Sequence, residues 1–380
     1  MASTSTLANG LPSGDYYAPD YRISVKNQVL DAESKGDVLD LKVTMDLEDL
    51  THFDMTVNNW SDKTLSFKYS DGATFDLGNI VQIKMGYAGN LLAMVTGVIM
   101  SLSPKFSESG PPTLSISGQD VLVKLKERKP KDGEQKKFVN ALDSEVVQTI
   151  ATRNGLVPKI TDTTERHDIV IQKNQDDLAF VKERAKRNDY DCYTVVDPAT
   201  GKNALYFGPP TDGRNSGKVN MYQFTWGESL INFNPTISLN RQVGQVTVKA
   251  WDPNTKSILQ YTATAADLPT PSSGENGPSA VATRLSDRQD IVVDQPVTSQ
   301  QEAKTLAIAL LRERAYSYIT ATGQVIGLPD LRPGNVVEVC RLGKRFSGKY
   351  YVTKCEHALG SSGYLTTFTV RNYGDGGTKS

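Results

Sequence analysis

Residues 333–339, PGNVVEV, repeat the pattern of an earlier stretch of the same chain, residues 77–83, LGNIVQI. In both copies a Gly-Asn pair precedes alternating apolar residues, which is typical of a turn that opens a β-strand. A glycine-containing hairpin and a further pair of strand-like runs follow each copy in the same order. The sequence therefore predicts an internal duplication that gives one chain two similar β domains.

The first β domain is predicted for residues 19–125. In residues 40–47, DLKVTMDL, the apolar side chains of Leu41, Val43 and Met45 alternate with polar ones. Period two over this length indicates a half-buried strand, and turns rich in Gly, Ser and Asp separate it from similar runs. A barrel or a sandwich would close these strands, because both limit exposed sheet edges.

A small α+β domain is predicted for residues 126–220. Seven basic and three acidic residues crowd into residues 124–137, which indicates a solvated linker. The spacing of apolar residues then predicts one helix within residues 140–156 and another within residues 174–189. The second helix has acidic residues in its first turn and basic residues in its last, which complements the helix dipole.

The second β domain is predicted for residues 221–373. Alternation of apolar and polar residues resumes there, for example around Val246. The residues from about 262 to 290 are interpreted as a surface loop, because they are rich in Pro, Gly and Ser. A helix is predicted at about residues 299–315, with Ser299 as its N-cap.

The predicted fold class is mainly β with α+β insertions: two β-barrel domains and one small α+β domain. Residues 1–18 are expected to form a flexible N-terminal arm and residues 374–380 a flexible tail. A chain of 380 residues with 38% hydrophobic content is long enough to bury several cores.

Charge and hydropathy exclude several classes of function. The formal net charge is −1, so the chain has no excess of Lys and Arg to neutralise a nucleic-acid backbone. No apolar run approaches the roughly 18 to 20 residues that span a bilayer, and the N-terminus lacks a charged-then-apolar leader pattern. We therefore expect no nucleic-acid partner, no membrane span and synthesis as a soluble cytoplasmic product.

The sequence predicts no catalytic residues, no metal ligands and no cofactor. Its three cysteines and three histidines are widely spaced and form no local ligand pair, which argues against a disulfide framework or a zinc site. The chain has no G-x-S-x-G, H-E-x-x-H or Walker loop, and no G-x-G-x-x-G between a strand and a helix.

Cys355, Glu356 and His357 stand in a row between two strand-like runs. On a strand the cysteine and the histidine share one face, and a bulge near Lys354 is needed if both face the core as Tyr350 does. Their Cβ atoms would lie about 6 to 7 Å apart, whereas a Cys-His nucleophile needs the imidazole within about 3 Å of the sulfur. We therefore expect a packed cysteine and a hydrogen-bonded histidine. Two alternatives stay open: a hydrolase that uses this pair, and a monomeric glycan-binding module.

Several motifs resemble the phage late control D family, the central baseplate hub proteins of contractile tails, which are similar to the hub portion of type VI secretion spike proteins. The motifs are LRPGNVVEV, FSGKYYVTKCEH and SSGYLTTFTVRN near the C-terminus, with QEAKTLAIALL before them and QDDLAFVKERAKRNDYDCYTV in the middle of the chain. The similarity runs from about residue 18 to residue 373. The structural residues that match family motifs are Gly78, Asn79, Pro333, Gly334, Asn335, Phe346, Gly348, Tyr350, Val352, His357, Gly363 and Tyr364.

The resemblance implies a homotrimer in which two tube-protein-like barrels per chain give a ring of six. Such a ring would adapt the hexameric rings of an inner tube protein to a threefold spike, within the baseplate of a phage tail or a contractile injection particle made in the bacterial cytoplasm. Only GDGGTKS follows Tyr373, so the spike is expected to be a separate protein, and other baseplate proteins complete the partners. For the lumen of the ring we expect polar or weakly charged side chains.

Overall fold

The computed structural model of the chain describes residues 7–9, 18–108, 110–126, 128–131, 134, 136–196, 203–211, 221–252, 255–268, 275–285 and 288–372. The predicted tail, residues 374–380, lies outside them. No helix within these ranges combines the length and the apolar character that crossing a bilayer requires.

The described residues form mainly strands, in agreement with the predicted fold class. The strands are β1 (Leu7–Asn9), β2 (Pro19–Val25), β3 (Gln28–Val29), β4 (Val38–Asp46), β5 (His52–Asn58), β6 (Trp60–Ser61), β7 (Ser66–Phe67), β8 (Ile80–Tyr87), β9 (Asn90–Lys105), β10 (Thr113–Asp120), β11 (Lys137–Leu142), β12 (Val157–Ile160), β13 (Arg166–Ile171), β14 (Asp191–Val196), β15 (Asn203–Gly208), β16 (Met221–Thr225), β17 (Asn232–Ile237), β18 (Gln245–Asp252), β19 (Ser257–Thr264), β20 (Gln289–Val292), β21 (Ile319–Ile326), β22 (Val336–Cys340), β23 (Gly348–Gly360) and β24 (Gly363–Asn372). The helices are α1 (Ala32–Gly36), α2 (Asp143–Arg153), α3 (Asp177–Arg187), α4 (Gly277–Arg284), α5 (Gln300–Ala315) and α6 (Gly343–Phe346), with short 3-10 segments at Val121–Lys124 and Ala265–Asp267.

One sheet of 14 strands joins the two β regions. Within it, eight strands pair in the order β17-β21-β24-β23-β4-β5-β10-β9, and every neighbouring pair is antiparallel. The pairing of β23 with β4 is the junction, because it joins four strands from the C-terminal region to four from the N-terminal region. β8, β2 and β3 continue the sheet beyond β9, and β22, β16 and β1 extend it from β23.

Each β region has its own hydrophobic core. The first is built from inward-facing residues such as Phe53, Met55 and Ile83, and the second from residues such as Phe224 and Phe368. All five side chains are at most 1% exposed. Such cores follow from the period-two alternation, which places every second residue of a strand on the same face.

The duplicated motif has the same backbone in both copies. Gly78 and Gly334 lie in the left-handed region, at φ +79° and +89°. They occupy the third position of a four-residue turn that a hydrogen bond closes, from the Asn79 amide to the Asp76 carbonyl and from the Asn335 amide to the Arg332 carbonyl. A turn of this kind needs a positive φ at its third position, which glycine adopts without steric cost.

The strands that follow the two turns also match. The amide of Gly78 donates to the carbonyl of Ile99 in β9, and the amide of Gly334 donates to that of Val352 in β23, both at 2.9 Å. Directly after each acceptor the strand register shifts by one residue, at Met100 in β9 and at Thr353 in β23. A bulge redirects a strand, so both long strands bend at equivalent points, and the duplication extends from the turn through β9 and β23.

The insert between the barrels contains the two predicted helices, α2 and α3, with β11 to β15. Their packing surrounds a core that includes Val146, Ile150, Val181 and Phe207, each fully buried. The basic segment before it differs from the predicted solvated linker, because Arg128 forms ion pairs of 2.8 Å with both Glu134 and Asp177.

The predicted surface loop at about residues 262–290 is wrong in part. It includes the end of β19, a 3-10 segment, α4 and the start of β20, while residues 269–274 lie outside the described residues. Asn276 caps α4 by accepting a hydrogen bond of 2.9 Å from the Ser279 amide, and Pro278 lies in its first turn. Asn and Pro interrupt a helix in its interior but favour its first turn.

Two further predictions need correction. The alternating residues around Val246 belong to a separate sheet, β19-β18-β20, which packs on α5 and does not join the large sheet. The helix itself is confirmed at Gln300–Ala315, and its N-cap Ser299 accepts a hydrogen bond from the Glu302 amide. The predicted flexible arm, residues 1–18, contains β1, which pairs in parallel with β16.

Candidate functional site

The eight-stranded part of the sheet has one apolar face, which covers the two cores, and one polar face, which we call the polar wall. The wall consists of Asn232, Asn234 and Thr236 of β17; Thr320, Thr322 and Gln324 of β21; Thr367, Thr369 and Arg371 of β24; Lys354, Glu356 and Ala358 of β23; Asp40, Lys42, Thr44 and Asp46 of β4; His52, Asp54, Thr56 and Asn58 of β5; Thr113, Ser115, Ser117 and Gln119 of β10; and Ser101, Ser103 and Lys105 of β9. Ile326 and Leu365 are apolar positions on the same face.

Short hydroxyl and amide side chains dominate the wall, and its charges balance. Four Lys or Arg side chains stand beside four acidic ones. Lys42 of β4 lies 3.2 Å from Glu356 of β23, so an ion pair crosses the junction between the two barrels. A surface with balanced charge has little long-range attraction for either sign of ligand.

Side-chain hydrogen bonds also run across the wall from strand to strand. The Asn232 amide donates to Gln324 at 3.2 Å, and the Gln324 amide donates to the Thr367 hydroxyl at 3.3 Å. Such cross-strand pairs stabilise a sheet by fixing the register of its neighbours. The wall is therefore a continuous polar surface built by both halves of the duplication.

The two ends of the wall are open strand edges. The Asp120 amide of β10 donates to the Thr51 carbonyl, so the even residues of β10 bond toward β5 and its odd residues bond toward β9. The odd residues pair with Ser101 and Ser103, whose backbone groups therefore point toward β10. The groups of Leu102 and Pro104 consequently point away from the sheet. No described strand pairs with this half of β9.

The outer edge of β17 is open in the same way, since β21 is its one partner among the described strands. The Ser238 amide donates to the Tyr318 carbonyl, so the even residues of β17 are bonded to β21 and the odd residues Phe233, Pro235 and Ile237 point outward. Proline has no amide hydrogen, and it is tolerated in a sheet where its nitrogen faces an open edge. Both open edges carry one proline in such a position.

The Cys-Glu-His trio lies in β23, and the bulge predicted near Lys354 occurs at Thr353. Cys355 and His357 face the core and are fully buried, whereas Glu356 lies on the polar wall. Burial raises the pKa of the Cys355 thiol far above its usual range, so the thiolate that a nucleophile needs does not form at neutral pH. The trio is not a nucleophilic site.

His357 is a buried structural residue. Its Nε2 lies 3.1 Å from the Leu331 carbonyl, which only accepts, so Nε2 carries the proton. The hydroxyls of Tyr364 and Thr366 each lie 3.1 Å from Nδ1. Burial, with the nearby charge of Arg332, lowers the pKa of His357 to about 3. The imidazole is therefore neutral and holds the end of β24 against the segment before β22.

The same region joins the two barrels. The Tyr87 hydroxyl donates to the Gly327 carbonyl at 2.8 Å, and its ring lies 5.6 Å from the ring of Tyr364. The Arg332 guanidinium donates to the Ala93 carbonyl at 2.8 Å. These contacts connect residues more than 230 positions apart, so the barrels are held together by side chains as well as by the pairing of β4 with β23.

The remaining family-motif residues lie around β22 and β23. Pro333, Gly334 and Asn335 form the turn before β22, and the Val352 amide donates to the Asn335 carbonyl at 2.9 Å. The Tyr350 hydroxyl donates to the Phe346 carbonyl at 2.7 Å. Gly348 begins β23, Gly363 begins β24, and Gly78 and Asn79 form the corresponding turn before β8. Their role in a family motif stays a prediction.

Sequence reasoning missed a buried carboxylate in the insert. Asp177 was interpreted through the helix dipole, yet its side chain is fully buried and contacts Arg128, Arg153, Asn154 and Gln172. Hydrogen bonds from Gln172, Asn154 and Arg153 outweigh the effect of burial and lower the pKa of Asp177. Arg128, Arg153 and Asn154 come from distant parts of the sequence, so no local pattern indicated the network.

A second buried cluster links the insert to α5. His167 of β13 lies 3.3 Å from the Asp143 carboxylate and 3.7 Å from the Glu302 carboxylate. The hydrogen bond with Asp143 raises the pKa of His167. Arg187 of α3 also pairs with Glu302, at 2.7 Å. The cluster therefore attaches the insert to the helix that covers the β19-β18-β20 sheet.

A cleft of about 620 Å³ opens between β8, β9, β14 and the turn before β22. Asp120 lies in it, and burial raises the pKa of this carboxyl, which accepts a hydrogen bond of 2.6 Å from Thr194. The residues that line the cleft include no histidine or cysteine that could serve as a nucleophile or base. No group of three His, Cys, Asp or Glu residues with metal-binding geometry occurs in the described ranges.

Solved proteins that share this fold include tail and secretion components. A 43 kDa tail protein of prophage MuSo2 from Shewanella oneidensis superposes with a TM-score of 0.69 at 14% identity, covering 93% of this chain and 98% of that one. A tail protein of Neisseria meningitidis gives 0.67 at 15% identity, covering 94% and 97%. An Escherichia coli component of the type VI secretion system gives 0.55 at 12% identity, covering 96% and 79%. The fold expected from the resemblance to baseplate hub proteins is thereby confirmed.

Comparison with curated protein sequences found no match. A comparison with family models matched residues 19–361 to the model described as Alg8 N-terminal domain. This match extends from the first strand of the N-terminal barrel to the hairpin between the last two strands of the C-terminal barrel. The chain therefore belongs to the Alg8 N-terminal domain family.

Proposed function

We propose that this chain is the structural baseplate hub of a phage tail or a contractile injection particle. In this proposal three copies form a ring of six barrels, which adapts the hexameric rings of an inner tube protein to a separate threefold spike. The proposal includes no enzymatic step. The domain boundaries 19–125, 126–220 and 221–373 are part of it.

One observation carries the proposal: a duplicated barrel fused into an eight-stranded polar wall with an open edge at each end. Two similar units that meet through unlike edges, as β4 meets β23, form a head-to-tail contact, and head-to-tail contacts generate rings when the rotation closes. A ring of six such units in three chains would place eight strands per chain around a central channel. The polar wall suits the lining of that channel, because passing cargo finds few apolar side chains to bind.

The enzyme alternative has little support from the geometry. A hydrolase would need a reactive thiol, whereas Cys355 is fully buried and its pKa is raised. The fold is shared with proteins described as tail proteins, which favours a structural role. The glycan-binding alternative predicts a monomer, and the mass of the chain in solution separates it from the hub.

The test is deletion of the gene in the organism that produces the particle. The hub proposal predicts that particles of normal length are lost from electron micrographs, and that wild-type protein supplied in trans restores them. A Cys355→Ser variant should restore them equally well, since this cysteine packs and does not react. Normal particles without the chain would refute the proposal.

A further inference from the structure

The junction between the two barrels within one chain indicates how one chain meets the next. Residues 41–46 of β4 pair with residues 354–359 of β23, with Met45 opposite Cys355, Val43 opposite His357 and Leu41 opposite Leu359. The backbone groups of these residues point into the junction, because the even residues of β4 are bonded to β5.

The duplication assigns an equivalent to each side of this junction. The shared turn and bulge align Val352 of β23 with Ile99 of β9. Residues 354–359 of β23 then correspond to residues 101–106, which are the end of β9 and the next residue, Phe106. The next strands correspond in the same way: β10 is equivalent to β24, and β5 is equivalent to β21. Their pairings with β4 and β17 then align residues 41–45 of β4 with residues 233–237 of β17.

The equivalent strand segments are the two open edges of the polar wall. In the junction, Leu359 of β23 is half-buried, whereas the equivalent Phe106 is 60% exposed. Leu102 and Ile237 are only partly buried at the margins of the two cores. Each barrel thus has a complete copy of one side of the junction and lacks the partner that the other barrel has within the chain.

We propose that β17 of one copy pairs antiparallel with residues 101–106 of a neighbouring copy, in the register of the β4–β23 junction. This inference rests on the proposed hub function and names its interface between chains, which we call the seam. In the seam Leu102 lies opposite Ile237 of the neighbouring copy, Ser103 opposite Thr236 and Phe106 opposite Phe233.

The chemistry of the two edges is complementary in this register. The core-facing pairs bring Leu to Ile and Phe to Phe. The ring of Phe106, which already packs edge-on against Phe67 at 5.0 Å between centroids, would gain a second apolar neighbour. The wall-facing pairs bring Ser103 to Thr236 and Lys105 to Asn234, and no like charges meet. Three seams and three junctions would alternate around a closed ring.

The seam differs from the junction in two respects. It has no counterpart of the Lys42–Glu356 ion pair, because Asn234 and Ser103 occupy the equivalent positions. Its central pair is Pro104 opposite Pro235, where the junction has two residues with amide hydrogens, His357 and Val43. The seam therefore lacks one outward donor on each strand. Two prolines also protect the open edges of the free chain against unspecific pairing. We expect a seam that is weaker than the junction, so that chains separate without unfolding.

Cysteine cross-linking tests the register. Thr236 lies in a non-hydrogen-bonded position of the seam, where opposite Cα atoms are about 4.5 Å apart, a separation that a disulfide tolerates. The double variant Ser103→Cys/Thr236→Cys should form intermolecular disulfides under mild oxidation, about tenfold more than Ser103→Cys/Asn232→Cys, whose second site lies about 13 Å further along β17. The covalent products should extend to the trimer and no further.

The experiment has a positive control and a background control. The pair Thr44→Cys/Glu356→Cys occupies the equivalent position in the junction and should give an internal disulfide without a change in mass. The two single variants, Ser103→Cys and Thr236→Cys, measure the background from the three native cysteines.

The outcomes distinguish this inference from the hub proposal, provided that the variant's mass is also measured by light scattering in reducing buffer with the tube and spike proteins present. A trimer without matched cross-links would overturn the seam and leave the hub intact. Cross-linked products of more than three chains would show that the seams do not close a ring of three chains. A monomer in every condition would overturn the hub proposal itself.

Discussion

Acidification tests the structural role of His357. This side chain is fully buried, and its pKa in the folded chain is lowered to about 3, from an ordinary value of 6.5. The neutral imidazole is therefore favoured by folding. Its contribution to stability is complete above about pH 6.5, is lost as the pH falls, and is exhausted near pH 3. Between about pH 7.5 and pH 5 the loss amounts to about 2 kcal/mol, since one pKa unit corresponds to about 1.4 kcal/mol.

The assay is urea denaturation of the wild-type chain and of His357→Gln at both pH values. Glutamine retains a donor for the Leu331 carbonyl and an acceptor for a hydroxyl but does not titrate, so the variant should lack the loss of about 2 kcal/mol. His167 contributes with the opposite sign, because its pKa is raised and its stabilisation is present at low pH. Its contribution is the same in both proteins and cancels in the difference.

The result that would refute this reasoning is an equal loss of stability in the two proteins. In that case the imidazole would be charged or solvated in the folded chain, and the packed interpretation of the Cys-Glu-His trio would fail. A hydrolase would then regain support, and activity screens with Cys355→Ser would follow.

Three further predictions concern the insert, the second core and the seam. Asp177→Asn should lower the free energy of unfolding by about 3 kcal/mol in urea denaturation, because the partly buried arginine partners of this buried carboxylate lose their counter-charge; an unchanged midpoint would contradict it. Gly323→Ala should cost about 1 to 3 kcal/mol, measured by thermal unfolding, since the added Cβ would lie 2.4 Å from Cζ of Phe368; wild-type stability would show that the ring is free to move. Pro235→Thr should restore one donor to each seam and lower the dissociation constant of a seam about fivefold in sedimentation experiments, whereas Pro158→Thr in the edge strand β12 should not.

The sequence was informative wherever a local pattern determines the structure. The Gly-Asn turns are predictable because a closed turn needs a positive φ at its third position, and the motif supplies glycine there in both copies. The alternation of side chains along β23 also required a bulge. Tyr350 and Cys355 both face the core, yet they are an odd number of positions apart. The position found, Thr353, differs from the predicted one by a single residue.

Patterns that depend on the assembly of distant segments were not predictable. Period-two alternation around Val246 indicates a strand but not the sheet it joins. Among the described strands, β18 pairs with β19 and β20 alone. The polar wall was not predicted for the same reason. Each strand contributes only two to four polar residues, and the surface forms only when eight strands align. The network around Asp177 likewise depends on Arg128, Arg153 and Asn154, which are 23 to 49 positions away.

The duplication gives these observations a common physical cause. A gene product with two similar barrels can use one kind of edge contact twice, once inside the chain and once between chains. The internal copy is permanent, because the chain connects its two sides and the contacts of Tyr87 and Arg332 reinforce it. The contact between chains, the seam, would contain the proline pair and would form only when two chains associate.

The most direct test of the hub account is the solution mass of the purified chain by light scattering, alone and with the tube and spike proteins of its own particle. The account predicts about 125 kDa, three times the 41.6 kDa of one chain, either alone or once the spike is present. A mass of one chain under every condition would contradict it and favour a monomeric binding module or an enzyme.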